Sequence, residues 1–136
     1  MKIFIICSKA FYSYIPPIKE KLEEKGYEVK LPNSYYNPNA EKDSWNLGEK
    51  EHSKFKSEMF KKSKETINSV DAVLTLNFEK NGQKNYIGGA TFLELYEAFM
   101  AGKKVYLYND IPEGMLYDEI QGFSPIIIHG NIDMVE

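Results

Sequence analysis

Cysteine is nearly missing from this chain of 136 residues: the only one, Cys7, cannot close an intrachain disulfide. Such sparing use predicts a reducing, cytoplasmic setting. Histidine is scarce as well. His52 and His129 lie far apart, with no ligand-like spacing to each other or to Cys7, so no metal site and no cofactor is expected. Long apolar runs are also lacking. The opening MKIFIICSKAFY offers only a short apolar stretch before Ser8 and Lys9, less than a signal-peptide core and far less than a membrane span.

Neither sign of charge dominates. Lys+Arg 17 against Asp+Glu 20 gives a net charge of -3, and the lysines are scattered over helical segments rather than gathered in a stripe. That excludes a nucleic-acid polymer or an anionic membrane as the main partner. What the chain does have is 43% apolar and 27% charged residues, with ten tyrosines and eight phenylalanines. This composition and length predict one globular domain spanning residues 1–136.

Four apolar runs are rich in β-branched and aromatic residues: KIFIIC (2–7), AVLTLN (72–77), VYLYN (105–109) and PIIIH (125–129), with a weaker fifth, EVKLP (28–32). Their lack of polar alternation is the mark of strands covered on both faces. Helical patterns separate them. IPPIKEKLEEKG carries prolines at a first turn, Ile18 and Leu22 at i,i+4, and Gly26 as a stop. EKEHSKFKSEMFKKSKETINSV sets Phe55, Met59, Ile67 and Val70 near one face, TFLELYEAFMAG follows a glycine pair, and a last short helix fits GMLYDEIQGF. The lysines of KKSKE read as a solvated helix face.

Strands alternating with helices predict βαβ units, and right-handed crossovers on both faces favour an α/β fold. The expected form is a Rossmann-like, flavodoxin-like doubly wound sheet of five parallel strands in the order 2-1-3-4-5. Residues 32–48 read as a long irregular segment suited to a lid or binding loop. In such sheets ligands bind beyond the carboxyl ends of the strands, where strand order reverses. That point should gather Ser8, Lys9, Phe11 and Tyr12 after the first strand, Asn77 and the 78–90 loop after the third, and Asn109 after the fourth. Asp71, at the opposite end of the sheet, reads as structural, and Cys7 as a small buried apolar residue. Asn77 and Asn109 suit turns as well as binding, and Tyr12, Tyr14, Tyr35 and Tyr36 suit packing as well as base stacking.

Glu94 supports two readings. TFLE fits a capping box, with Thr91 and Glu94 satisfying the first amides of a helix. Alternatively, Gly88 and Gly89 clear side chains from the loop, so that a substrate can approach the backbone and the carboxylate can attack an electrophilic sugar carbon.

The run from VDAVLTLN through IGGATFLELYEAFMAGKKVYLY resembles the nucleoside 2-deoxyribosyltransferase superfamily, which includes 2'-deoxynucleoside 5'-phosphate N-hydrolases. The resemblance spans roughly residues 70–109 and is looser for the first strand and its loop; residues 33–62 match nothing in it. It implies a nucleoside or nucleotide as substrate, with Glu94 as the catalytic nucleophile that expels the base and forms a glycosyl-enzyme ester. Ser8, Phe11, Tyr12, Asn77, Gly88, Gly89, Thr91 and Asn109 are then the expected substrate contacts, and assembly into a homo-oligomer is implied. The chain departs from the pattern in three places. Where the family has an acidic residue to protonate the leaving base, this chain has Ser63, with Glu65 the nearest carboxylate. A tyrosine inside the first strand is replaced by Phe4, and a phosphate-binding serine by Gly88. Beside N-glycosidic cleavage or transfer stand two other readings, a nucleotide-binding domain without turnover and a scaffold.

Overall fold

The computed structural model describes residues Met1–Glu136. The apolar runs form β1 (Lys2–Ile6), β2 (Glu28–Lys30), β3 (Ala72–Thr75), β4 (Lys104–Leu107) and β5 (Ile126–Ile127). They make one sheet in the order β2-β1-β3-β4-β5, each neighbouring pair parallel. The crossovers carry α1 (Ile15–Glu24), α2 (Ala40–Leu47), α3 (Glu49–Ser69), α4 (Gly89–Met100) and α5 (Tyr117–Gly122). This is the flavodoxin-like α/β arrangement expected from the alternation of strand and helix patterns.

The pleat divides the strand side chains between two cores. Ile3, Ile5, Leu74 and Tyr106 meet Ile15, Ile18 and Leu22 of α1 on one face. On the other, Phe4, Ile6, Val73 and Leu107 meet Ile67 of α3, Leu95 and Ala98 of α4, and Ile120 of α5. Each such aliphatic side chain contributes about 1.5–3 kcal/mol by leaving water. Phe4 is therefore a core residue with no access to a ligand. The amino end of the sheet is closed by Asp71, whose Oδ2 accepts a 2.7 Å bond from the Lys2 amide, the structural role its place in the chain implied. Tyr106 satisfies its buried hydroxyl by donating to the Glu136 carbonyl at 2.7 Å, fastening the last residues across the sheet.

Two local expectations are corrected. Residues 32–48 are not irregular throughout, because α2 occupies Ala40–Leu47 and packs on α3. Its eight residues bury only Ser44, so no apolar periodicity announces it. The hairpin is held by a Ser44 Oγ to His52 Nδ1 hydrogen bond of 2.9 Å and by Trp45 stacked on the His52 ring, which gives His52 a packing role. The second correction concerns the capping box. Helix α4 begins at Gly89, two residues before Thr91, with Gly88 as N-cap and no side-chain cap. Glu94 consequently sits in the second turn, too far along to reach the free amides.

The carboxyl ends of β3 and β4 are locked together by one residue pair. Asn77 is wholly buried and its Nδ2 donates to the carbonyls of Asn109 at 3.1 Å and Asp110 at 2.9 Å. Its Oδ1 accepts from the Asn109 amide at 2.8 Å, and Asn109 Nδ2 returns a bond to the Asn77 carbonyl at 3.0 Å. Truncating Asn77 removes three of these four bonds at a partly buried junction, leaving only that from Asn109 Nδ2 to the Asn77 carbonyl. Asn77→Ala is expected to destabilise the fold by about 2–4 kcal/mol, read from the midpoint of urea unfolding.

Candidate functional site

Strand order reverses between β1 and β3, and beyond their carboxyl ends lies a cleft of about 420 Å³. Its floor is Cys7 and Ser8, the residues that leave β1. One wall is the start of α4, from Gly88 through Thr91 to Glu94. The opposite wall is the inner face of α3, with Phe55, Lys56, Met59 and Ser63, and the mouth is covered by Asn33, Pro38 and Glu41 from the segment joining β2 to α3.

The rim nearest α4 comes from a tight hairpin. Lys80 and Gln83 exchange backbone bonds around Asn81 and Gly82, both with positive φ. This turn holds Lys80 Nζ 4.7 Å from the centre of the Tyr86 ring, and both side chains line the cleft. Gly88 has its own steric reason: a Cβ there would approach Tyr86 Oη to 3.1 Å. Next to it, a Cβ on Gly89 would meet nothing within 4 Å, so the backbone of that residue faces open space. The amides of the first turn of α4 have no partner within the helix.

Glu94 is the centre of the arrangement. Its Oε2 accepts a 2.9 Å bond from Ser63 Oγ, and Ser63 Oγ in turn accepts a 2.8 Å bond from Asn33 Nδ2. Asn33 is itself anchored to the Met59 carbonyl at 3.2 Å. Three elements thus converge on one carboxyl. Burial raises the Glu94 pKa to about 7, against the opposing pull of the Ser63 hydroxyl and the Lys56 ammonium, both of which favour the ionised form. Lys56 also lies 3.7 Å from Glu41 at the mouth. Burial likewise pushes the Cys7 thiol to about 12, helped by the nearby charge of Glu94, so this thiol is not a nucleophile at neutral pH. The Tyr12 phenol is raised further, by burial first and then by Cys7, Glu94 and Glu41.

Of the residues expected at the site, Ser8, Tyr12, Gly88, Gly89, Thr91 and Glu94 are brought together around this cleft, as is Lys9. Three are not. Phe11 is buried in the core, edge-on to Phe78 with ring centres 5.6 Å apart. Asn77 and Asn109 do not line the cleft, their polar groups being taken up by one another. Tyr14 stacks on Phe78 at 4.0 Å, and Tyr35 packs between Tyr12 and Tyr36; none of Tyr14, Tyr35 and Tyr36 lines the cleft. Lys80 and Tyr86 come from the 78–90 loop expected there, though neither was singled out, while Asn33 and Lys56 went unforeseen. Asn33 and Lys56 fall in residues 33–62, which match nothing in the resembled family, and on that wall only Ser63 was marked, as the place where an acid was missing. No cluster of three potential metal ligands exists, and no helix is long and apolar enough to cross a membrane.

No protein-family model matches the sequence, and no curated protein matches it. Among solved structures, it is similar to the 2-deoxyribosyltransferase of the psychrotolerant bacterium Bacillus psychrosaccharolyticus. The TM-score is 0.60 at 20% sequence identity, covering 90% of this chain and 81% of that one. The two share a fold.

The raised pKa of Glu94 has a definite sign for stability. The folded chain holds this proton more tightly than the unfolded chain, so stability is full below about 4.5 and is lost as pH rises through about 7. Glu94→Gln keeps an acceptor for Ser63 and removes the charge. The variant is expected to match the parent protein near pH 4.5 and to exceed it by on the order of 2–3 kcal/mol near pH 8.5, measured by urea unfolding at both pH values.

Proposed function

We propose that this chain binds a nucleoside or nucleotide in the cleft and cleaves or transfers its N-glycosidic bond, with Glu94 as the nucleophile. The observation that carries this reading is the aim of the Glu94 carboxyl: into the cleft, onto Ser63, and not onto its own helix terminus. A carboxylate fixed by a hydroxyl and partly stripped of water is suited to attack an anomeric carbon, because its remaining oxygen has no partner to displace. The resulting glycosyl ester is opened by water or by a second base, the double displacement of retaining glycosidases. The fold shared with a 2-deoxyribosyltransferase supports this reading, as does the run of residues 70–109.

The flanking residues have roles consistent with that chemistry. Tyr12 and Tyr86 offer rings to a base or sugar, and the backbone at Gly89 admits close approach. Lys9, Lys56 and Lys80 supply positive charge around an otherwise carboxylate-bearing cleft. Ser63 gives a specific reason for a second reading, binding without turnover, because a hydroxyl stands where the resemblance calls for an acid. Thermal stabilisation by nucleotides with no base released from any of them would favour it.

If Glu94 is the nucleophile, the ionised form is the active one, so kcat/KM for base release rises with pH through about 7. Glu94→Gln and Glu94→Ala should lower that rate by roughly a thousandfold or more while the fold persists; retention of activity in both would refute the assignment. Ser63→Ala removes a hydrogen bond that favours the charged form. The rising limb of the profile is then expected to move to higher pH, measured as kcat/KM across about pH 5–9.

A further inference from the structure

A departing base needs somewhere to place the electron pair of the broken C–N bond. A neutral purine or pyrimidine leaves as an anion unless a proton reaches it, and a positioned acid is worth roughly a hundredfold to ten-thousandfold in rate. The cleft offers no carboxyl for that task. Its only two carboxyl groups are Glu94 and Glu41. Glu41 is half-exposed at the mouth and paired with Lys56, and Glu94 is needed ionised. The neighbour of Glu94 is the Ser63 hydroxyl, whose single proton is directed at Glu94 and whose oxygen is filled by Asn33. Glu65, the nearest carboxylate in the sequence, is exposed on the outer side of α3 and lines no part of the cleft.

We infer that the cleft is built for nucleotides whose base already carries a positive charge, pyridinium ribonucleotides above all. This rests on the glycosidic reading of Glu94 and narrows it to a substrate class. A pyridinium nitrogen accepts the bonding pair and leaves as a neutral pyridine with no proton added. One Glu94 carboxylate oxygen forms the ester bond to C1' as the C1'–N bond breaks. Water then attacks C1', the ester bond breaks back to the carboxylate, and the water proton passes to solvent. The balance is one cationic riboside and one water giving a neutral base, a free sugar hydroxyl and one proton.

The charges around the cleft agree with this class. Glu94, the cleft carboxylate without a salt-bridge partner, supplies negative charge that favours a cationic base. Lys9 and Lys80, on the loops that follow β1 and β3, are free of carboxylate partners and suit a phosphate at the other end of the substrate. Every basic residue of the chain is a lysine, so phosphate is met by point charges rather than by guanidinium forks.

The test compares matched pairs on the intact protein. Nicotinamide mononucleotide is set against its reduced dihydropyridine form and AMP, and N7-methylguanosine monophosphate against GMP, with free base quantified by chromatography. Release from the two cationic nucleotides is expected to exceed that from their neutral counterparts by at least about a hundredfold, the contribution of the missing acid. It should also vanish in Glu94→Gln. Ser63→Asp, which sets a carboxyl beside Glu94, should narrow the gap by speeding neutral-base release. If AMP or GMP is cleaved within about tenfold of its cationic counterpart, and Glu94→Gln abolishes both, the substrate class is wrong while the glycosidic reading survives. No base released from any of the five compounds overturns both. The wild-type ratios decide the matter even if Ser63→Asp fails to fold.

Discussion

One hydrogen-bond chain organises this molecule's candidate site: Asn33 to Ser63 to Glu94. It crosses three separate segments of the fold, and each link fixes the donor and acceptor roles of the next. Asn33 can only donate through its amide nitrogen, so Ser63 must accept there and has its proton left for the carboxylate. The outcome is a carboxyl with one oxygen held and one without a hydrogen-bond partner, in a place where burial resists its ionisation. Its titration near neutrality reflects that contest between desolvation and two favourable neighbours.

The sheet makes this convergence possible. Strand β1 sends its chain one way to β2 while β3 and its helix lie on the other side, so the space between their carboxyl ends is left unfilled by any crossover. Helix α3 then closes that space from the side, bringing Ser63 over α4. The buried Asn77–Asn109 pair holds the ends of β3 and β4 in register beside it. It serves the cleft indirectly, by fixing the platform from which the loop of residues 78–90 projects.

A serine in place of a second carboxyl has two consequences that pull on chemistry in opposite directions. It relieves Glu94 of like-charge repulsion, which would drive its pKa higher still. On the proposed glycosidic reading, it also removes the most direct proton source for a departing base. Under that proposal the reaction depends on how well the leaving group departs unaided, and the pattern of charge around the mouth then matters more than acid catalysis does.

Much of the fold could be read from the chain alone. Continuous apolar runs such as KIFII and AVLT, separated by helical periodicity, require strands covered on both faces, and chirality leaves few orders for them. The place of the cleft followed from that order, and Glu94 from its glycine-led helix. What the chain could not disclose were contacts between residues distant in sequence. Asn33, Ser63 and Glu94 are 30 and 31 residues apart, with no periodicity to link them. Whether TFLE capped a helix depended on where that helix started, and packing set the start at Gly89. Local pattern is fixed by backbone propensity and by burial along one segment, so it determined the elements and their order. Side-chain direction at the junction of three segments is fixed by packing among them, so only the tertiary structure decided that Glu94 faces Ser63 and the cleft, and that Asn77 and Asn109 face each other.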